Sequence, residues 1–334
     1  MRVNVIDIGC SFTKAYSVED GEILGHCKVP TVPSYLVRDA LSAHREIRNR
    51  FDGDAVIVIS TSDSVVVEYK SKEHQWFLHD VPKKWQEGLT PYKKSGHPRN
   101  EALRGAANQM LWLLKNERMS NMNRILPVST YIAALIADDS SWNYWDITHA
   151  TNSGFYDYEK GGWADEAQPF IEAGLIGKDI LPSSGGWDID SEDYSVFLGG
   201  HDSTFAVAND NSYSTRPYVS CGTWTTVSVE STPDLIQDKG ESRFIAAPNG
   251  TVLQQLCFLS DDSDEGRAKA VNRVKTFLER KFQDAKAAPV RVFGTWGEQM
   301  LYDLRCNSNL RVEEGLDTVN YLPLQAAKFV ERNK

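Results

Sequence analysis

The chain has 334 residues, 41% hydrophobic, 10% aromatic and 25% charged, which suits a soluble globular protein of two ordinary domains or one large one. Its 36 basic and 46 acidic residues leave a net charge of −10. That argues against a nucleic-acid or membrane partner, since both need a broad positive face.

The opening residues lack the pattern of a secretory signal, and no apolar run approaches a membrane span. Five cysteines (Cys10, Cys27, Cys221, Cys257 and Cys306) are scattered without a Cys-x-x-Cys pair. Reduced thiols in a cytoplasmic location are expected, and a zinc site of the usual spacing is not.

Val3 to Ile8 alternates as a half-buried strand and breaks at Gly9. Cys10-Ser11-Phe12-Thr13-Lys14 forms a polar turn, Ala15 to Val18 resumes the strand, and Glu19-Asp20-Gly21 turns into a third. A hairpin turn holding Asp7, Gly9, Ser11, Thr13 and Lys14 concentrates groups that suit phosphate and Mg²⁺. Taken alone, the stretch reads more simply as a polar β-turn with a capping Asp.

Residues 35 to 51 have the spacing of a solvated amphipathic helix. Ala55 to Ser60 is a continuous apolar run, as in a strand covered on both faces. Ser62 and Asp63 follow at its C-terminal end, where open α/β sheets place ligands; an ordinary loop explains them equally well. Val65 to Tyr69 reads as another strand. Trp76, His79, Asp80 and Trp85 could line a sugar site, because aromatic faces pack on sugar C–H surfaces, although loop packing is the commoner role.

Leu103, Ala106, Met110 and Leu114 fall at helical spacing, and a second helix starts near Pro127 and runs to about Ala137. Asp146 to Gly154 is dense in small polar residues, with His149 more often a structural hydrogen-bonder than a catalyst. Asp165 to Gly174 is a short helix. Tyr194 to Leu198 is a strand delivering Gly199-Gly200-His201-Asp202, and helix-forming residues begin at Ser203. Local physics makes Asp202 an N-cap before anything else.

Two β-like runs surround Gly222-Thr223, and another pair surrounds Pro248-Asn249-Gly250. An acidic run at 261–265 precedes a charged helix over 268–285. Pro289 to Phe293 is a strand ending in Gly294-Thr295-Trp296-Gly297, before a helix over 298–304. Strand, glycine turn and helix suit a nucleotide, though helix–strand packing asks for the same residues. No repeat is visible at a period of 20–50 residues, and neither a Walker-type loop nor a G-x-S-x-G elbow is present.

The order of these pieces resembles the FGGY carbohydrate kinases, a branch of the actin/hexokinase/Hsp70 ATPase superfold. Asp7 to Lys14 looks like the family's first phosphate hairpin, and Gly199-Gly200-His201-Asp202 like the segment carrying its catalytic base. Ser220-Cys221-Gly222-Thr223-Trp224 resembles the second phosphate motif, in the form seen in rhamnulokinase- and fuculokinase-type members. Gly294 to Gly297 is similar to the adenosine motif, and Pro323 to Ala327 to the small-residue helix that closes it. Departures are concentrated at Cys10-Ser11-Phe12, at Ser62-Asp63-Ser64, and in a stretch from Thr226 to Val290 much shorter than the family's.

The resemblance implies an α/β, two-lobed, actin-like (ribonuclease H-like) fold with a cleft between lobes at 1–216 and 217–334. It implies a carbohydrate kinase that moves the γ-phosphate of ATP to a sugar or polyol hydroxyl. Asp202 is then the catalytic base and Asp7 the Mg²⁺ residue. Gly9, Ser11, Thr13, Lys14, Gly222, Thr223, Gly294, Thr295 and Gly297 face the nucleotide, and Ser62, Asp63, Trp76, His201 and Asp202 face the sugar. The short second lobe leaves room for a homodimer to complete the nucleotide pocket. The alternatives are a non-catalytic sugar- or nucleotide-binding homologue and a nucleotide hydrolase.

Overall fold

The computed structural model describes residues 1–9, 11–32, 35–60, 65–77, 106–116, 119–181, 188–190, 194–205, 207, 216–222, 224–231, 242–248, 250–259, 263–281, 289–313 and 320–333. The expectations for Ser62, Asp63, Thr223, His79, Asp80, Trp85 and Leu103 therefore fall outside the described residues. Strands β1 (Arg2–Ile8), β2 (Phe12–Glu19) and β3 (Glu22–Pro30) form an antiparallel meander. Asp20 and Gly21 both take positive φ, 51° and 78°, as a tight hairpin between right-twisted strands requires.

Helix α1 (Leu36–Phe51) leads to β4 (Ala55–Ser60), which lies parallel to β1. All six residues of β4 are buried, as its unbroken apolar run predicts. Val56 and Val58 face the core that contains α1, whereas Ala55, Ile57 and Ile59 face a second core on the other side of the sheet. In α1 the buried positions Leu36, Val37, Ala40, Ala43, His44 and Ile47 recur at helical spacing.

His44 is a polar exception in that stripe. It is 5% exposed, and its Nδ1 has no hydrogen-bond partner. Burial, with Arg48 and Arg45 adding to it, pulls its imidazole down from 6.5 to about 4. The unfolded chain therefore binds the extra proton between those values, and stability present above pH 6.5 is lost as pH falls towards 4. Between pH 7 and 4.5 the wild type should lose about 2 kcal/mol more than His44→Leu in urea unfolding. Parallel stability profiles for the two proteins would refute this.

Strands β5 (Val65–Tyr69), β6 (His74–Phe77) and β7 (Met122–Pro127) make a small antiparallel sheet. Trp76 lies on β6, in register with Val66. Helix α2 (Ala106–Asn116) buries Ala106 and Met110 as expected, but in its last turn Leu113 is buried and Leu114 is 37% exposed. Helix α3 (Val128–Ile136) starts directly after Pro127.

The short strands β8 (Trp145–Asp146), β9 (Tyr156–Asp157), β10 (Gly162–Trp163) and β11 (Ile180–Leu181) frame helices α4 (Ile147–Asn152) and α5 (Gln168–Glu172). Strands β12 (Asp188–Asp190) and β13 (Ser195–His201) complete a six-stranded sheet of order β12-β13-β4-β1-β2-β3. Helix α6 (Asp202–Phe205) begins where β13 stops.

The rest of the chain builds a second sheet. Strands β14 (Tyr218–Cys221), β15 (Trp224–Glu230), β16 (Ser242–Ala246) and β17 (Val252–Leu259) are followed by α7 (Asp264–Lys281), β18 (Arg291–Phe293), α8 (Gly297–Asn307) and α9 (Tyr321–Asn333). The sheet order is β16-β17-β15-β14-β18, with β18 parallel to β14. The run β17-β15-β14-β18, with α7 inserted before β18, repeats β3-β2-β1-β4 with α1 inserted before β4.

Helix α9 bridges the two halves. Its first residue, Tyr321, stacks on Phe293 with ring centroids 5.0 Å apart. Ala326, Ala327, Phe329 and Val330 then pack against Val3, Val5, Ile57 and Phe197 of the first sheet. The expected small-residue helix therefore exists, but most of its apolar face covers the first sheet. Among the described residues, no helix is long and apolar enough to cross a membrane, and Cys27, Cys221, Cys257 and Cys306 are free thiols.

Candidate active site

Three adjacent parallel strands, β1, β4 and β13, end side by side. Ile8 pairs with Ser60, and Ser60 pairs with His201. The register of β13 against β4 slips between Leu198 and His201, so one extra residue is accommodated by a bulge. The two glycines explain where it falls. A Cβ on Gly199 would lie 1.9 Å from the Val58 carbonyl, and one on Gly200 would lie 2.5 Å from Thr148 Oγ1. Only glycine allows β13 to run this close to β4 and α4 while turning Asp202 onto the end of the sheet.

Asp146 anchors that end from below. Its fully buried carboxylate caps α4, accepting from the backbone N–H groups of Thr148 and His149 at 2.9 and 3.1 Å. It also accepts from the Thr148 hydroxyl and sits 2.6 Å from His149 Nδ1. Burial alone would raise its pKa, but His149 and these donors together hold it below the usual carboxylate range. The Thr148 hydroxyl in turn accepts from the His201 N–H at 2.8 Å, and His149 Nε2 lies 3.2 Å from Ser60 Oγ. The structural role expected for His149 is what the geometry shows. One carboxylate thus ties the ends of β4 and β13 together.

Asp7 lies near the end of β1, opposite Lys14 on β2, with Lys14 Nζ 3.8 Å from Asp7 Oδ2. It is 7% exposed, and its other oxygen, Oδ1, is buried without a hydrogen-bond partner. Burial pushes this carboxyl up to about 6 against the pull of Lys14, and the nearby charge of Asp202 pushes in the same direction. A cation would satisfy the orphaned oxygen and relieve the repulsion between the two carboxylates, so the residues present fit a divalent ion. Among the described residues no group of three or more His, Cys, Asp or Glu could hold a metal. Mg²⁺ is commonly held by one or two carboxylates with water and substrate phosphates supplying the rest.

At the hairpin turn the Gly9 N–H donates to the Phe12 carbonyl at 3.0 Å, and at the matching turn Gly222 N–H donates to the Trp224 carbonyl at 3.1 Å. Both glycine amides are spent in closing their turns. Ser11 is exposed at the first turn and Lys14 is partly exposed, whereas Thr13 is fully buried with its hydroxyl 3.1 Å from that of Thr31. Thr13 therefore supports the turn from within. His201 is also buried, at 4% exposure, with Nδ1 3.0 Å from Ser203 Oγ and 3.2 Å from Asp202 Oδ1.

On the second sheet, β14 and β18 end together, and their turns touch. Trp296 Nε1 donates to the Gly222 carbonyl at 3.1 Å, and the Gly297 N–H donates to the Gly294 carbonyl at 3.0 Å. Gly294 has φ of 104°, and a Cβ there would lie 2.3 Å from the Cys221 carbonyl. The Trp296 side chain thus joins the two turns. Gly222, Gly294, Thr295 and Gly297 are thereby gathered at one end of this sheet, and Asp7, Gly9, Ser11, Lys14 and Asp202 at one end of the other. Contacts between the sheets were not foreseeable from motifs. Gln255 Nε2 on β17 donates to Ser203 Oγ at 3.3 Å, and the Ala246 N–H on β16 donates to Thr151 Oγ1 at 2.9 Å.

No protein-family model matches the chain, and no curated protein sequence does. Solved structures do match. A ligand-bound xylulose kinase from Lactobacillus acidophilus aligns at a TM-score of 0.70 with 11% identity, covering 99% of this chain and 89% of that one. A gluconate kinase from the same organism aligns at 0.71 with 11% identity, covering 100% and 89%. Glycerol kinase from Plasmodium falciparum with ADP aligns at 0.62 with 12% identity, covering 97% and 75%. The fold is the actin-like α/β ATPase fold that these sugar and glycerol kinases share.

Proposed function

We propose that this protein is an ATP-dependent kinase that phosphorylates a hydroxyl of a sugar or related polyol, with Asp202 as general base. The observation that carries this reading is the pairing of Asp202 with Asp7 at one end of the first sheet, beside Lys14. Phosphoryl transfer asks for positioning, charge neutralisation and one carboxylate to accept the substrate's proton. Asp202 takes the proton from the attacking hydroxyl. Lys14 brings positive charge to the phosphates at the Gly9 turn, with Ser11 beside it. Asp7 would hold Mg²⁺, directly or through water, and the bound ion would supply neutralisation of phosphate charge.

The Gly222–Thr223 turn and the Gly294–Gly297 turn would receive the rest of the nucleotide from the second sheet. His201 stands behind the base. Trp76, Ser62 and Asp63 remain proposed sugar contacts. We assign a two-lobed division near residue 216, with α9 crossing back, and a cytoplasmic location in keeping with the free thiols.

The test is a panel of ketoses, deoxyketoses, aldoses and polyols with ATP and Mg²⁺, read as ADP release. Deoxyketoses are included because Gly222-Thr223-Trp224 resembles the form found in rhamnulokinase-type members. Sugar-dependent ADP release from at least one compound is expected. Equal release without sugar would make the protein a hydrolase, and no release across the panel would leave it a binding protein.

A further inference from the structure

A buried chain of hydrogen bonds runs from the second sheet to the side of Asp202, and its donors can be assigned as far as Ser203. Arg243 Nε on β16, in a residue 6% exposed, can only donate, and it lies 3.1 Å from Gln255 Oε1 on β17. This contact fixes the amide of fully buried Gln255, so that its NH₂ group points the other way. The two amide hydrogens go to Ser228 Oγ at 2.9 Å and Ser203 Oγ at 3.3 Å. Ser203 Oγ thus receives a hydrogen from Gln255 and has its own proton to give, 3.0 Å from His201 Nδ1. All four members of the chain are buried.

We propose that Gln255, oriented by Arg243, is a positioning residue that acts through Ser203 to hold His201 as the neutral imidazole with its proton on Nε2. The consequence lies at Asp202. His201 Nδ1 is 3.2 Å from Asp202 Oδ1. If Nδ1 carried a proton it would donate to that carboxylate, adding a second donor to the oxygen that already accepts from the Ser203 N–H. With Nδ1 accepting from Ser203, Asp202 keeps that lone pair. The relay requires β16 and β17 to sit against α6, so the second sheet helps to set the state of a residue beside the base on the first. The tautomer stands without any substrate; the effect on turnover rests on the role proposed for Asp202.

The variant Gln255→Glu has nearly the same shape but removes the amide donor, so the Ser203 hydroxyl turns to donate to the new carboxylate. His201 Nδ1 then loses its donor and takes the ring proton towards Asp202. Ser203→Ala breaks the same link without adding charge, and Ser203→Thr keeps the hydroxyl. The readout is ¹⁵N NMR of the ring nitrogens in the full-length protein, with His201 assigned by the signal lost in His201→Gln.

Wild type and Ser203→Thr should show an unprotonated Nδ1 and a protonated Nε2. Gln255→Glu and Ser203→Ala should show Nδ1 protonated and, on the sugar identified by the panel, a kcat about 10–100-fold lower with KM little changed. Unchanged ring signals in both variants would overturn the relay. Altered signals with unchanged kcat would overturn its effect on the base. Failure of the sugar panel would count against the kinase reading, while the NMR result decides the tautomer in either case.

Discussion

Asp202→Asn should lower kcat by about 10²–10⁴-fold, the range that loss of a positioned general base produces. Asparagine keeps the shape and one acceptor oxygen at the start of α6, so the Ser203 N–H retains its partner. What it loses is the capacity to take a proton. Sugar and nucleotide affinity should therefore change little, which calorimetric titration with each ligand can establish. A second readout is independent of turnover. Because the charge of Asp202 helps raise the Asp7 carboxyl to about 6, removing it should move the Asp7 titration downward in ¹³C NMR. Full turnover in Asp202→Asn would sink the mechanism, and an unmoved Asp7 titration would show that the two carboxylates do not sense each other.

Asp146→Ala should be among the most destabilising single changes in the protein, at about 3–5 kcal/mol. The carboxylate is fully buried and takes four donors from Thr148 and His149. Removing it leaves the N-terminus of α4 without its cap and strands polar groups that water cannot reach. The Thr148 hydroxyl, which holds the His201 N–H, loses its own acceptor at the same time. Urea unfolding monitored by circular dichroism gives the measurement. A loss below about 1 kcal/mol would mean that solvent or a side-chain rearrangement satisfies the site, and that Asp146 does not hold the strand ends together.

The two expectations depend on different kinds of information. Asp202 was visible in the sequence because Gly199-Gly200 before it and helix formers after it mark a strand-to-helix junction. Asp7 was visible because its strand breaks at Gly9 in a turn rich in polar groups. In both cases the local signal marks the position, and the order of motifs along the chain supplies the role proposed for it. Asp146 and His149 lie in a stretch whose polar density was plain, yet their partners, Ser60 and His201, are far away along the chain. Thr13 shows the reverse. Its place in the turn suggested phosphate, but the neighbouring Thr31 takes its hydroxyl into the interior.

The sequence alone determined the longer apolar elements, such as β4 and α1, because the period of apolar residues reports which faces are buried; the short strands around α4 carry too few residues to show a period. It also marked the bulge at Gly199 and the turn at Gly294, because glycine tolerates backbone geometry and close contacts that other residues resist. Only the tertiary structure decided that the second sheet repeats the strand order of the first, since topology depends on burial and turns and leaves no shared residue pattern. Only it placed α9 across both sheets and joined Arg243 to His201 through Gln255 and Ser203. Such contacts join residues distant in sequence, and their geometry exists only once the sheets have packed.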